Sequence, residues 1–176
     1  MKTKLKLILP NKKYISSFAR GMDEFRKDKT SRPTQDQLKL FRNIKDFPIY
    51  NNKMIDNRKG INLKKGWVPQ TLYWAMVGNK FVGVVKLRHR LNKKLMTQGG
   101  HIGYSVVSSE RRKGYATEML HLALKKAKNL GIKKVLVTCD KNNIGSRKVI
   151  EANGGVLENK VKTDGVWKLR FWVLTS

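Results

Sequence analysis

The chain has 176 residues, in which 39 Lys and Arg face 12 Asp and Glu for a formal net charge of +27, and hydrophobic residues make up 40% against 29% charged. That apolar share, with only four Pro, excludes low-complexity disorder and collagen-like repeats and supports one hydrophobic core, so residues 1–176 read as a single domain. The lone Cys139 excludes a disulfide framework and a Cys-rich zinc site and suits a reducing compartment, the cytoplasm.

In chain order, the first residues set Lys before a short apolar run that ends at Pro10, Asn11, Lys12 and Lys13 with no small-residue cleavage site, which is not a signal-peptide pattern. Lys or Arg interrupts every apolar run well short of the roughly 18 residues a membrane span needs, so no membrane partner is expected. Residues 5–9 predict a strand, and helices are predicted over 14–26 and 34–45, the second starting at Pro33 and Thr34. The Asn-, Lys- and Gly-rich stretch 48–67 reads as a long loop.

From Gln70 the pattern turns to β. Residues 71–77 and 81–87 flank Gly78 and Asn79 as a hairpin, and 99–107 add a third consecutive strand. A helical period begins at Gly114, with Ala116, Met119, Leu120, Ala123 and Ala127 on one face, and stops at Gly131. Residues 134–138 are a short apolar run suited to a buried strand, parallel to its predecessor because a helix separates them. A short helix over 144–152 and a hairpin over 156–161 and 166–174, turning at Asp164 and Gly165, complete the chain.

The positive charge raises the question of nucleic acid, since Lys and Arg that neutralise phosphates release counterions. Its distribution argues otherwise: residues 1–70 carry 18 basic and 6 acidic groups and residues 71–176 carry 21 and 6, with Lys outnumbering Arg 28 to 11. A solvated lysine-rich surface accounts for that better than a dedicated nucleic-acid stripe.

The most informative segment is the turn between strand 102–107 and the helix that opens at Gly114. Amides at a helix start carry unpaired donors and positive partial charge, Gly114 allows close backbone approach, and Arg111, Arg112 and Lys113 add formal charge. The turn is neither a Walker loop nor a GxGxxG dinucleotide turn, but it is suited to a pyrophosphate.

Arg111, Arg112, Lys113, Gly114, Tyr115 and Ala116 resemble the Arg/Gln-x-x-Gly-x-Gly/Ala signature of the GCN5-related N-acetyltransferases (GNAT). Downstream, Asn143 and Ser146, before a short helix ending at Gly154, resemble that family's second motif. The segment from Gly66 onward is similar to a bacterial subgroup of acetyltransferases with undefined acceptors. The resemblance implies an α/β (α+β) fold, with a mixed, mostly antiparallel sheet of about seven strands flanked by about four helices. It also implies acetyl transfer from acetyl-CoA, without a metal, to a small-molecule or peptide amine.

On the same resemblance, Val106, Val107 and Ser108 would meet the pantetheine arm, the 111–116 turn would hold the pyrophosphate, and Asn143 and Ser146 would meet the cofactor rim. A strand amide at Val106 or Val107 would polarise the acetyl carbonyl. The Tyr that many members use as general acid is replaced by Ile150. His101 is the candidate general base on chemical grounds, with Tyr104 and Glu110 farther along. Tyr73, Trp74, Arg88 and Arg90 are placed beside the acceptor, with strand alternation sending Arg88 and Arg90 to one face. An Arg pair suits an anionic acceptor, and the scarcity of carboxylates argues against a polycationic one. A monomer or homodimer is expected, and the alternative to an enzyme is a basic RNA- or ribosome-associated protein on the same scaffold.

Overall fold

In the computed structural model, which describes residues 4–28 and 35–175, the alternating segments form seven strands of one sheet. They are β1 (Leu5–Ile8), β2 (Gln70–Val77), β3 (Lys80–Arg88), β4 (Ile102–Val106), β5 (Lys134–Asp140), β6 (Val156–Thr163) and β7 (Val166–Leu174), in the spatial order β1-β2-β3-β4-β5-β7-β6. The pair β4–β5 is parallel and the other neighbours are antiparallel, as the helix between those two strands requires. The mixed, mostly antiparallel sheet expected from the sequence is therefore present.

Among the described residues six α-helices flank it rather than about four: α1 (Ile15–Lys27), α2 (Gln35–Leu40), α3 (Phe47–Lys59), α4 (Lys93–Thr97), α5 (Tyr115–Asn129) and α6 (Ile144–Glu151). The predicted helix 34–45 is shorter, ending at Leu40 with a separate 3-10 turn over Ile44–Asp46; its predicted start at Pro33 and Thr34 lies outside the described residues. The predicted loop 48–67 is corrected outright, since most of it is α3. Pro48 stands in the first helical turn, where its missing N–H costs nothing, and Gly60 closes the helix at φ 77°. A short helix also interrupts the 92–98 stretch, because the Asn92 side chain caps it by accepting from the Leu95 amide at 3.0 Å.

Strand alternation divides the core into two layers. On one face, Ala75, Val85, Ile102 and Val106 pack with Met119, Leu120 and Ala123 of α5 and Ile150 of α6. On the other, Leu72, Trp74, Phe81 and Val84 pack with Phe18, Met22 and Phe25 of α1 and with Phe41, Phe47 and Tyr50. No helix among the described residues is long and apolar enough to cross a membrane.

Candidate active site

The one parallel step in the sheet is also its opening. β5 holds the segment entering β4 through the His101 amide on the Leu136 carbonyl (2.7 Å) and the Gly99 amide on Thr138 Oγ1 (2.9 Å). The two strands themselves pair only at Ile102 and Val137. Beyond that rung they diverge, while β4 stays paired with β3 as far as Val106 opposite Gly83. The Val107 amide donates to the Val82 carbonyl on the β3 side, so alternation turns the backbone of Tyr104 and Val106 toward the gap. Arg111 Nε reaches the Val106 carbonyl from that side at 3.3 Å. Of the two amides proposed from sequence to polarise a carbonyl, Val107 is thus committed to the sheet and Val106 faces the gap.

The gap leads into the basic turn. Arg112 has φ 63° and Gly114 φ 81°, so the chain enters α5 through left-handed residues and no side chain caps the helix. Its first amides are therefore directed into the turn, the disposition that binds anions. Tyr115 and Ala116 are half-buried against the α5-face core. Glu110, only 4% exposed, anchors the turn from below by accepting from Lys80 Nζ (2.5 Å) and Lys113 Nζ (3.1 Å). Burial alone would raise the Glu110 pKa, but those two lysines hold it below the usual carboxylate range. The Ser108 hydroxyl is committed to Glu24 of α1 (3.0 Å), which also accepts from the Ser109 amide and hydroxyl, and Arg111 pairs with Asp28 at the end of the same helix. Across the gap, Asn143 Oδ1 caps α6 by accepting from the Ser146 amide (2.9 Å), and the Tyr104 hydroxyl donates to the Ser146 carbonyl at 3.4 Å. The Tyr104–Ser146 contact thus joins the two motifs across the slot between β4 and β5.

His101 is not poised as a base. Its Nδ1 accepts the Leu136 amide at 3.0 Å, standing in for a strand carbonyl, and the residue is 8% exposed. Burial and the nearby Arg88 charge push its pKa down to about 4, so the ring is neutral in the fold. The consequence for stability has a definite sign. The unfolded state takes up a proton near pH 6.5 while the native state does not, so this contribution is complete above about pH 6.5 and is lost as pH falls toward 4. Replacing His101 by Ala should flatten that segment of the stability–pH curve and leave the rate–pH profile near neutrality unchanged; loss of an ionisation from the rate profile would restore the base assignment.

The residues placed beside the acceptor are scattered. Trp74 is fully buried, stacked on Phe18 with ring centroids 4.0 Å apart and donating from Nε1 to the Tyr50 hydroxyl at 3.2 Å, so it lines no surface. Tyr73 lies on the opposite face, half-buried, with Lys126 Nζ 5.7 Å from its ring centre. Arg88 Nη1 donates to the Gly99 and Gly100 carbonyls at 2.9 and 3.0 Å, bracing the approach to β4. β3 ends at Arg88, so alternation does not carry on to Arg90, which is exposed in the following bend. Cys139 is buried, and burial pushes its thiol up to about 11, consistent with a small core residue.

What the sequence reading missed is a cleft of about 240 Å³ between α2, α3 and the α1-side face of the sheet. Gln70, Leu72 and Lys86 form its floor, and Gln37, Asn57 and Trp67 are among its walls. Gln37 and Asn57 are alternative polar residues at otherwise buried helix positions, a signal that periodicity alone does not interpret.

A mostly antiparallel sheet split at one parallel step, with an uncapped helix start at the mouth of the split, is the architecture that the sequence resemblance implies. The chain belongs to the acetyltransferase (GNAT) domain family, whose model matches residues 31–156. No curated protein is matched by sequence. Among solved structures, the chain is similar to the microcin C7 self-immunity acetyltransferase MccE in complex with acetyl-CoA and AMP, with 18% identity and a TM-score of 0.67 over 97% of this chain and 92% of that one. It is similar to RimL, a ribosomal L7/L12 alpha-N-protein acetyltransferase, in complex with coenzyme A, with 15% identity and a TM-score of 0.67 over 98% and 94%. It is also similar to a chimera of the Vibrio cholerae spermidine N-acetyltransferase SpeG and hSSAT, with 15% identity and a TM-score of 0.61 over 97% and 95%.

Proposed function

We propose that the chain transfers the acetyl group of acetyl-CoA to a primary amine by direct attack, without a covalent enzyme intermediate. The observation that carries this reading is the continuity of the β4–β5 gap with the uncapped start of α5, where Gly114 stands at φ 81° within the family signature. Acetyl-CoA supplies an activated thioester. The amides of 114–116 and the charges of Arg111, Arg112 and Lys113 suit its pyrophosphate, and the β4 edge at Tyr104 and Val106 suits its pantetheine arm. The Val106 amide is directed to stabilise negative charge on a carbonyl oxygen in the gap.

Ile150, fully buried, cannot supply the proton that the leaving thiolate needs. Tyr104 takes that role in this reading. Burial pushes its phenol up to about 12, so it is protonated at neutral pH, and its hydroxyl lies across the gap beside Ser146. The fold relatives act on acceptors as different as a ribosomal protein and spermidine, so the fold leaves the acceptor open.

The test is thermal stabilisation by acetyl-CoA combined with release of free CoA thiol on adding amines. A ligand at 100 times its dissociation constant stabilises the native state by about 2.7 kcal/mol, a readily measured shift. Absence of any shift at saturating acetyl-CoA, together with salt-sensitive RNA binding, would favour the basic RNA- or ribosome-associated alternative.

A further inference from the structure

The cleft beside the slot holds an anomaly. Gln37 and Asn57 are 3% and 5% exposed, yet Gln37 Nε2 and Oε1 and Asn57 Oδ1 have no hydrogen-bond partner. Buried polar atoms are nearly always paired, so three unpaired amide atoms on two residues lining one concave site call for a ligand that pairs them. The charge of the lining is one-sided. Lys39, Lys53, Lys64 and Lys86 contribute to it, and among the described residues no Asp or Glu does. Lys64 Nζ sits 5.5 Å from the centre of the Trp67 ring, and Lys53 Nζ donates to the Asn62 carbonyl at 2.8 Å, one of the three donors an ammonium has.

The cleft also leads to the slot. Lys86 on its floor is paired with Gly103 of β4, roughly 5 Å away across the sheet, and β4 borders the gap. Gly103 shares the face of Lys86, and a side chain added there would meet nothing within 4 Å. Open space therefore lies over Gly103, between the cleft and the edge where the Val106 amide faces.

We propose that this cleft is the acceptor pocket and that it selects an amine carrying a carboxylate or phosphate next to a neutral hydrogen-bonding group. Gln37 and Asn57 pair the neutral group, the lysines hold the anionic end, and the amine reaches over Gly103 to the thioester. The inference rests on the acetyl-transfer reading above. Transfer forms one N–C bond and breaks one C–S bond; the nitrogen loses a proton to solvent and the thiolate gains one from Tyr104, with no change in oxidation state. The lysine field serves this step too. Like charge disfavours the ammonium form of the incoming amine, which supplies a neutral nucleophile where His101 cannot act as base.

The test uses the full chain with acetyl-CoA and a panel of probes: α-amino acids and aminoalkyl phosphates, their neutral amide and alcohol counterparts, and spermidine. The anionic members should show kcat/KM at least 10-fold above their neutral counterparts, and spermidine should be the poorest. Gln37→Leu and Asn57→Leu should each raise the acceptor KM about 10-fold while keeping the acetyl-CoA thermal shift. Their melting temperatures should equal or exceed that of the unmodified chain, because an apolar group replaces an unpaired buried amide. A fall in melting temperature with KM unchanged assigns the amides to the fold and overturns the proposal. Spermidine as the best acceptor overturns it as well, as does failure of every anionic probe to bind or react while acetyl-CoA still stabilises the protein. Loss of acetyl-CoA stabilisation in the unmodified chain overturns instead the reading on which the proposal rests.

Discussion

Replacing Gly114 by Val should abolish stabilisation by acetyl-CoA while leaving the protein folded. Gly114 has φ 81°, and a side chain added there would meet no atom within 4 Å, so the cost to the free protein is conformational and not steric crowding. A β-branched residue held in left-handed backbone costs about 1–3 kcal/mol, a drop of several degrees in melting temperature for a domain of this size. The larger effect falls on the ligand. Any relaxation of φ re-aims the first amides of α5, and the added methyl groups stand where the pyrophosphate must approach the backbone. At least a 100-fold loss of acetyl-CoA affinity is expected, about 2.7 kcal/mol. Gly114→Ala should fall between the two. Titration of the melting temperature against acetyl-CoA measures both quantities, and a full shift in the Val variant would remove the turn from the cofactor site.

Trp74→Ala should be the most destabilising of the substitutions considered. The side chain is fully buried in a cluster with Phe18, Tyr50, Phe47 and Phe81, and its Nε1 donates to the buried Tyr50 hydroxyl. Truncating a buried Trp costs about 3–5 kcal/mol through lost transfer energy and the cavity left behind, and domain stabilities are about 5–15 kcal/mol in total. A melting temperature lower by roughly 10 °C or more follows. Trp74→Phe retains an aromatic ring against Phe18 and should cost about 1–2 kcal/mol, with acceptor KM unchanged. A Phe variant of normal stability with a strongly raised acceptor KM would return Trp74 to the acceptor side, where strand position alone had put it.

How much of this was legible beforehand depended on how local the cause is. The strands from Gln70 onward and helix α5 announce themselves because their periods of 2 and 3.6 residues follow from backbone geometry. Helix α3 did not, because its buried residues, Phe47, Tyr50 and Asn57, follow no clean apolar stripe and Pro48 reads as a breaker until it is known to sit in the first turn. The turn at 111–116 was legible because an anion site made of consecutive amides lies within one short segment.

The chemistry of single side chains was less so. His101 has the right functional group for a base, but the Leu136 amide that occupies it lies 35 residues away. Strand alternation puts Tyr73 and Trp74 on opposite faces, and only the docking of α1 and α3 decides that Trp74 is sealed in an aromatic core.

By itself the sequence determined the succession of elements from helix α5 to the C-terminal hairpin, the parallel step and the glycine-bearing basic turn, all consequences of local backbone preference and short-range spacing. The tertiary structure alone decided where the sheet opens, which β4 amide faces the opening, and that Gln37, Asn57, Trp67 and Lys86, drawn from distant parts of the chain, share one cleft. Such a cleft is made by packing, which no periodicity encodes. Its lysines also give part of the +27 charge a location that composition could not supply.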